Sequence, residues 1–157
     1  MRVPPFAYWL VPLIVVLDQA TKILVRHLLP YKEAVSVFGN WIRWYYTTNT
    51  GAGFSIFYNQ TLFLTIVSLL ILGFLIYYYP RLPRQLLVQT AIFLIVGGSI
   101  GNLIDRIVLG RVTDFVDLGV GGLRWPTFNI ADSAICIAAI LIVVYWMFYE
   151  KRTIDKK

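Results

Sequence analysis

The stretch that decides the fold is LLVQTAIFLIVGGSIGNLIDR, residues Leu86–Arg106. Its apolar part reaches the length of about 20 residues that a helix needs to cross a bilayer. The run then ends in Asn102, Asp105 and Arg106. A charge inside a bilayer costs about 2.5–3.5 kcal/mol on insertion scales, so these polar groups need partners or a wet cavity. The stretch therefore predicts a transmembrane helix with a polar site at one end.

The composition of the whole chain supports a membrane protein. The 157 residues are 59% hydrophobic and 14% charged, with a mean hydropathy of +0.71. A soluble domain is less apolar and about a quarter charged. The formal charge of +6 is typical of basic anchors beside anionic lipid. No basic patch is interleaved with stacking aromatics, so we do not expect nucleic acid as a partner.

Length and hydropathy predict one membrane domain over residues 1–157 with four spans. The spans cover residues 7–28, 61–79, 86–104 and 130–148, and the longer connections cover residues 30–60 and 109–128. The aromatic run WIRWYY predicts a short sheet or hairpin in the first connection. The second connection contains glycines and a Trp-Pro pair, and we expect it to be turn-rich. The predicted fold is an all-α polytopic membrane protein with four transmembrane helices and a small extracytoplasmic β-containing loop region.

The distribution of basic residues predicts the orientation. Four spans place both termini on one side, and each side carries seven Lys or Arg residues. Lys22 and Arg106 lie beside acids in apolar helices, so we treat them as internal partners rather than topology signals. The remaining excess places the termini in the cytoplasm. The first span is followed by no cleavage pattern, and we expect it to stay in place as a helix.

The single cysteine and the single histidine exclude some kinds of site. Cys136 lies in an apolar run, where we expect it to be a small buried hydrophobe. One thiol forms no internal disulfide and no zinc cluster. His27 argues against a histidine-based metal site or triad, and we expect it at the membrane interface.

Polar residues recur at one end of three spans with helical spacing. Residues three and four apart lie on one face of a helix. The members of these three faces are Asp18, Thr21 and Lys22; Asn102, Asp105 and Arg106; and Asn129, Asp132 and Ser133. Asn49 and Asp114 lie in the two outer connections. By the predicted topology, all of them fall in one layer.

Several roles for this layer are open from spacing alone. In a purely structural role, Asp18 pairs with Lys22 and Asp105 with Arg106. Gly97 and Gly101 have the spacing that favours close helix packing, and this would bring the polar faces together. Few bases then remain for Asp114 and Asp132. Two carboxylates at one site share a proton, which provides an acid and a base for activating water.

Two other functional classes compete with this hydrolytic chemistry. A small ion or proton transporter would use intramembrane carboxylates such as Asp18, Asp105 and Asp132 as a relay. Its polar residues should then spread through the bilayer, whereas the second span has no charge. An assembly or scaffold protein would explain the aromatic loop but not the clustered acids.

Five short motifs occur in order along the chain. They are DQATK (18–22), NTGAGF (49–54), GNLIDR (101–106), VTDF (112–115) and FNIADS (128–133). Together they resemble the lipoprotein signal peptidases, or signal peptidase II, over nearly the whole chain. One departure is Gly53, where the family usually has alanine.

The resemblance implies an aspartic endopeptidase of the bacterial cytoplasmic membrane. Such enzymes remove the signal peptide from diacylglyceryl-modified prolipoproteins, cutting just before the lipidated cysteine at the outer face. It implies a catalytic pair, Asp114 and Asp132. The supporting residues that it implies are Asp18, Lys22, Asn49, Gly51, Asn102, Asp105, Arg106 and Asn129.

The resemblance implies no cofactor and no metal. The expected partners are prolipoproteins and membrane lipid, and we expect a monomer. Trp41, Trp44 and Phe54 form either a lip that holds lipid and peptide or an ordinary aromatic belt. Asp117, three residues after Asp114, has no role from the sequence.

Overall fold

A computed structural model describes residues 5–51, 57 and 59–150. The helices are α1 (Leu10–Leu28), α2 (Thr61–Tyr78), α3 (Leu86–Leu109) and α4 (Ile130–Tyr145). The strands are β1 (Ala34–Phe38), β2 (Ile42–Asn49), β3 (Val112–Val120) and β4 (Leu123–Arg124). Gly53 and Phe54, and the basic tail after Glu150, lie outside the described residues.

Four helical segments are long and apolar enough to cross a membrane. They are Ala7–Leu28, Thr61–Arg81, Leu86–Leu109 and Ile130–Phe148. Together with the small antiparallel sheet, they confirm the predicted fold class. Helix α3 continues past the predicted end at 104 to Leu109. It ends at Gly110, whose φ of +70° gives the left-handed cap that glycine accepts without strain.

Helix α3 is the central helix and contacts the other three. In the most apolar stretch of α3, 61% of the residues are buried inside the protein. In the corresponding stretch of α2, only 6% are buried. Glycines allow this close approach. A Cβ on Gly97 would lie 3.0 Å from Ile14 Cβ, and one on Gly101 would lie 2.6 Å from the Asp18 carboxylate and 3.2 Å from Ala131 Cβ. The predicted packing role of the glycines is therefore confirmed, and it brings α1 and α4 against the polar end of α3.

The sheet joins the two long connections in the order β1-β2-β3-β4, with all pairs antiparallel. The predicted hairpin is confirmed as β1 and β2. The turn-rich expectation for the second connection was wrong over Val112–Val120, which is a strand. Its stabilising partner is β2, which is distant in sequence, so local turn signals did not reveal it. The register opposes Thr47 to Asp114 and Asn49 to Val112.

Candidate active site

A cavity of about 520 Å³ lies where the polar end of α3, the start of α4 and strand β3 meet. Polar side chains from several elements line it together with an apolar wall. Its lining includes Asn49, Gly51, Asn102, Arg106, Asp114 and Asp132. Six of the ten residues predicted for the site thus face one space. The other four are Asp18, Lys22, Asp105 and Asn129, and they lie behind this lining.

The first turn of α4 holds Asp132 in place. Asn129 is the N-cap residue, and its side-chain oxygen accepts a hydrogen bond of 2.9 Å from the Asp132 backbone N–H. In return, Asp132 Oδ2 accepts a hydrogen bond of 3.2 Å from the Asn129 backbone N–H. This reciprocal capping box explains why Asn and Asp stand three residues apart. Asn102 Nδ2 donates to Asp132 Oδ1 at 2.8 Å, so both carboxylate oxygens are held.

Asp114 projects from β3 onto the same asparagine. Its Oδ1 accepts a hydrogen bond of 2.8 Å from Asn129 Nδ2, and its residue surface is 3% exposed. Burial, together with the smaller effect of the nearby Asp132 charge, raises the pKa of Asp114 to about 7. Hydrogen bonds from Asn129 and Asn49 oppose the rise only in part. Asn129 therefore connects two carboxylates, and the pKa of one of them, Asp114, lies near neutral pH.

Lys22 is the cation behind the cavity and is fully buried. Its Nζ lies 2.8 Å from Asp18 Oδ2 and 3.5 Å from Asp105 Oδ2, and it donates to Asn102 Oδ1 at 3.0 Å. The expected pair of Asp18 with Lys22 is thereby confirmed. Asp18 Oδ1 also accepts 2.9 Å from the Ala131 backbone N–H, in the positive first turn of α4. This network fixes the orientation of Asn102 and, through it, of Asp132.

The expected pairing of Asp105 with Arg106 was wrong. Asp105 Oδ2 accepts a hydrogen bond of 2.8 Å from the Thr113 backbone N–H, and Asp105 Oδ1 lies 3.8 Å from Arg26 Nη1. Among the described residues, no ion pair joins Arg106 to Asp105. Adjacent residues on a helix point in directions about 100° apart, so they do not face each other. Arg106 instead lines the cavity and donates 3.4 Å to the Gly51 carbonyl oxygen.

Two further residues of α1 belong to the polar layer and were missed. Gln19 donates to the Gly101 carbonyl oxygen at 2.9 Å and to Asp105 at 3.3 Å. Arg26 donates to the Thr113 hydroxyl at 2.9 Å. The spacing of four residues from Asp18 to Lys22 and again to Arg26 was a usable signal, because such residues share a helix face. The side chain of Gln19 offered no comparable signal.

A second ionic cluster lies outside the cavity lining and is centred on Asp117. Arg43 Nε and Nη2 lie 2.8 and 2.6 Å from Asp117 Oδ2, and Arg124 Nε donates to Oδ1 at 2.9 Å. Burial alone would raise the pKa of Asp117, but the hydrogen bonds and charges of Arg124 and Arg43 outweigh it and lower the pKa. We define Arg43, Asp117 and Arg124 as the sheet clamp.

The expectation that Cys136 is buried was wrong. Its side chain is exposed and lines the cavity beside Ile135 and Ile137. It lies on α4 one turn beyond Asp132, on the same helix face. A membrane helix can be apolar on every face, because lipid surrounds the faces that do not contact protein. Hydrophobicity therefore did not reveal which side of α4 faced the rest of the protein.

Comparisons with known proteins match this arrangement over most of the chain. The family model described as "Signal peptidase (SPase) II" matches residues 10–148. The chain belongs to the signal peptidase II family. The lipoprotein signal peptidase of Janthinobacterium sp. (strain Marseille) is 44% identical over 91% of this chain and 86% of that protein. That of Halothermothrix orenii is 33% identical over 92% of this chain and 97% of that protein.

Two solved structures of bacterial membrane enzymes share this fold. A bacterial membrane enzyme solved by the in meso method at 2.3 Å resolution has a TM-score of 0.89 and 30% identity, covering 99% of this chain and 94% of that one. A second, solved at 1.9 Å resolution, has a TM-score of 0.84 and 29% identity, covering 95% of this chain and 96% of that one. The predicted resemblance is confirmed. The chain is a multi-pass membrane protein and a hydrolase of the protease class.

Proposed function

We propose that this protein removes the signal peptide from diacylglyceryl-modified prolipoproteins and cuts just before the lipidated cysteine. Family membership and relatives named lipoprotein signal peptidases support the substrate class. One observation carries the chemistry. Asp114 and Asp132, from a strand and from a helix, line one cavity and bind the same Asn129.

In the proposed mechanism, Asp132 is the base and Asp114 is the acid. Asp132 lies in the first turn of α4, where the helix dipole and two N–H donors favour a negative charge. It takes a proton from water, and the water oxygen bonds to the scissile carbonyl carbon. Asp114 gives its proton to the carbonyl oxygen. Asp132 then passes its proton to the leaving amine as the C–N bond breaks, and Asp114 recovers the proton of the hydroxyl.

The remaining cavity residues have proposed positioning roles. Asn49 and Arg106 present an amide and a guanidinium toward the space in which a peptide backbone would bind. Asn102, held by Lys22 at 3.0 Å, keeps Asp132 in place. Trp41 and Trp44 are exposed on β2 and the turn before it, and they would contact lipid at the mouth of the site.

We place the active site at the outer leaflet of the bacterial cytoplasmic membrane, with both termini in the cytoplasm. The two long connections that carry the sheet share the end of the bundle where the cavity lies. The signal peptide of a membrane-anchored substrate would then reach the cavity from the bilayer. Cysteines introduced singly at exposed Glu33 and Arg81, in a Cys136→Ser background because native Cys136 is itself exposed, test this orientation. In intact cells, only the cysteine at position 33 should react with an impermeant reagent.

The test is cleavage of a diacylglyceryl-modified prolipoprotein by the purified protein, compared with its unlipidated counterpart. We expect selective release of the signal peptide from the lipidated substrate. Asp114→Asn and Asp132→Asn should stop cleavage while the proteins remain folded. Glu33→Gln is the matched control, because Glu33 is an exposed acid in the loop region that carries the sheet. Full turnover by either folded asparagine variant would disprove the proposed pair.

A further inference from the structure

The carboxylate at the centre of the sheet clamp is buried although it does not line the cavity. Asp117 is 4% exposed, yet it takes no part in the proposed chemistry. Arg124 holds it with three contacts, two to the carboxylate oxygens at 2.9 and 2.5 Å and one to the Asp117 carbonyl oxygen at 3.3 Å. Charge-assisted, forked contacts of this kind fix geometry more strongly than single hydrogen bonds.

Arg124 directly precedes a segment that does line the cavity. Residues Trp125, Pro126, Thr127 and Phe128 all belong to its wall. The segment joins β3 by backbone hydrogen bonds at its two ends, from Trp125 N–H to the Leu118 carbonyl and from Phe128 N–H to the Val116 carbonyl. The proline between these ends has no N–H and adds no ladder bond.

The short strand that directly precedes this segment needs side-chain support. Strand β4 has two residues, and its ladder pairs Gly119 with Arg124 and Val120 with Leu123. A two-residue ladder is too short to be stable alone. The Arg124 side chain connects β4 to Asp117 and also donates to the Asn40 carbonyl oxygen at 2.5 Å. The clamp thus anchors the beginning of the cavity wall to two other parts of the sheet.

We propose that Asp117 is a positioning residue that acts through Arg124, holding the Trp125–Phe128 segment where its apolar side chains contact the lipid-modified part of the substrate. This inference rests on the proposed function and adds a determinant of substrate affinity to it. The second arginine of the clamp, Arg43, extends from β2 to the same carboxylate. Arg43 stabilises the sheet without reaching the cavity wall.

This difference supplies a matched pair of variants, Arg124→Gln and Arg43→Gln. Each removes one guanidinium from Asp117, but only the first removes the connection to the wall. We expect Arg124→Gln to raise KM for the lipidated substrate by about tenfold, with kcat nearly unchanged, as loss of one charge-assisted contact predicts. Arg43→Gln should leave KM near the wild-type value. Neither variant should change the Kd of the unlipidated peptide, measured by direct binding.

A second readout does not depend on turnover. Binding of a diacylglyceryl peptide to the Asp132→Asn protein should weaken about tenfold on adding Arg124→Gln and stay nearly constant on adding Arg43→Gln. Equal effects of the two arginine variants, an unchanged KM in Arg124→Gln, or a fall in kcat alone would each overturn the inference. Failure of the wild type to cleave would instead contradict the proposed function. The two binding measurements, with Arg124→Gln and with Arg43→Gln added to Asp132→Asn, would still decide this inference.

A substitution without loss of charge covers the case in which Arg124→Gln does not fold. A Cβ on Gly119 would lie 2.6 Å from both the Arg124 side chain and the Leu123 carbonyl oxygen. Gly119→Ala should therefore displace the clamp and raise KM in the same direction. Arg124→Lys keeps the charge but loses the fork, so an intermediate KM is expected. Wild-type KM in both variants would overturn the inference.

Discussion

Asp114 and Asp117 lie on the same strand, and both are buried, yet their environments are opposite. Asp114 receives neutral amide donors and faces another carboxylate, so its pKa rises to about 7. Asp117 receives two guanidinium groups, and its pKa falls. Burial acts on both in the same direction, so the difference comes from the partners. Among the described residues, no cation lies within ion-pair distance of Asp114, whereas two guanidinium groups contact Asp117, and this difference suits Asp114 to its proposed role in proton transfer.

The largest expected effect is on turnover. Asp114→Asn should lower kcat by about 10²–10⁴-fold, the usual contribution of a positioned acid or base. Asp117→Asn should leave kcat within severalfold of wild type, because that side chain takes no part in the proton transfers. Steady-state cleavage of a lipidated substrate measures both. Similar losses of kcat in the two folded variants would remove the functional contrast between the two acids.

The next effect is on stability and comes from giving Asp117 an environment like that of Asp114. The double variant Arg43→Gln/Arg124→Gln leaves a buried carboxylate without a counter-charge. We expect a loss of about 1.5–3 kcal/mol or more in the free energy of unfolding, the range for charge-assisted hydrogen bonds. Denaturant titration in micelles at pH 7 measures it. Arg111→Gln, at an exposed arginine near the sheet, is the control and should change little.

A smaller effect is expected in the pH dependence of stability. The raised pKa of Asp114 means that the folded protein binds more protons than the unfolded chain between about pH 4 and 7. Stability should therefore fall as pH rises through this window, and Asp114→Asn should flatten the fall. Asp117 has a lowered pKa, so its stabilisation is present above the ordinary value of about 4 and is lost as pH falls through its folded pKa.

Melting temperatures measured from pH 4 to 7 test this pair of statements. Asp117→Asn should lower the melting temperature throughout the window by a nearly constant amount. Asp114→Asn should make the decrease of the melting temperature with rising pH less steep. A steeper fall in Asp114→Asn than in the wild type would contradict the sign derived for Asp114.

The smallest expected effect is on the pKa of Asp114 itself. Removing Asp132, the like-charged neighbour of Asp114, makes the surroundings of Asp114 more like those of Asp117. In Asp132→Asn, the pKa of Asp114 should fall below about 7 because one of the causes of its rise is gone. Burial remains, so the pKa should stay above the ordinary aspartate value. Infrared difference spectra of the protonated carboxyl band, with Asp114→Asn as the blank, follow this titration. An unchanged or higher pKa would mean that Asp132 does not act on Asp114.

Local patterns in the sequence were sufficient for much of the site. Spacing of three and four residues on apolar helices placed Asp18 with Lys22, and five ordered motifs indicated Asp114 and Asp132. The same patterns missed the true partners of Asp105 and the exposure of Cys136 to the cavity. Both depend on how far each helix is rotated toward its neighbours, and an almost wholly apolar helix carries little information about rotation.

By itself, the sequence determined the number of spans, the position of the polar layer at one end and the family. These follow from length, hydropathy and short-range spacing, which act within one segment of chain. Only the tertiary structure decided that Asn129 joins two carboxylates, that β3 pairs with β2, and that Asp117 is neutralised while Asp114 is not. The pKa of a buried carboxyl depends on charges within a few ångströms. Those neighbours come from distant parts of the chain, so folding alone brings them together.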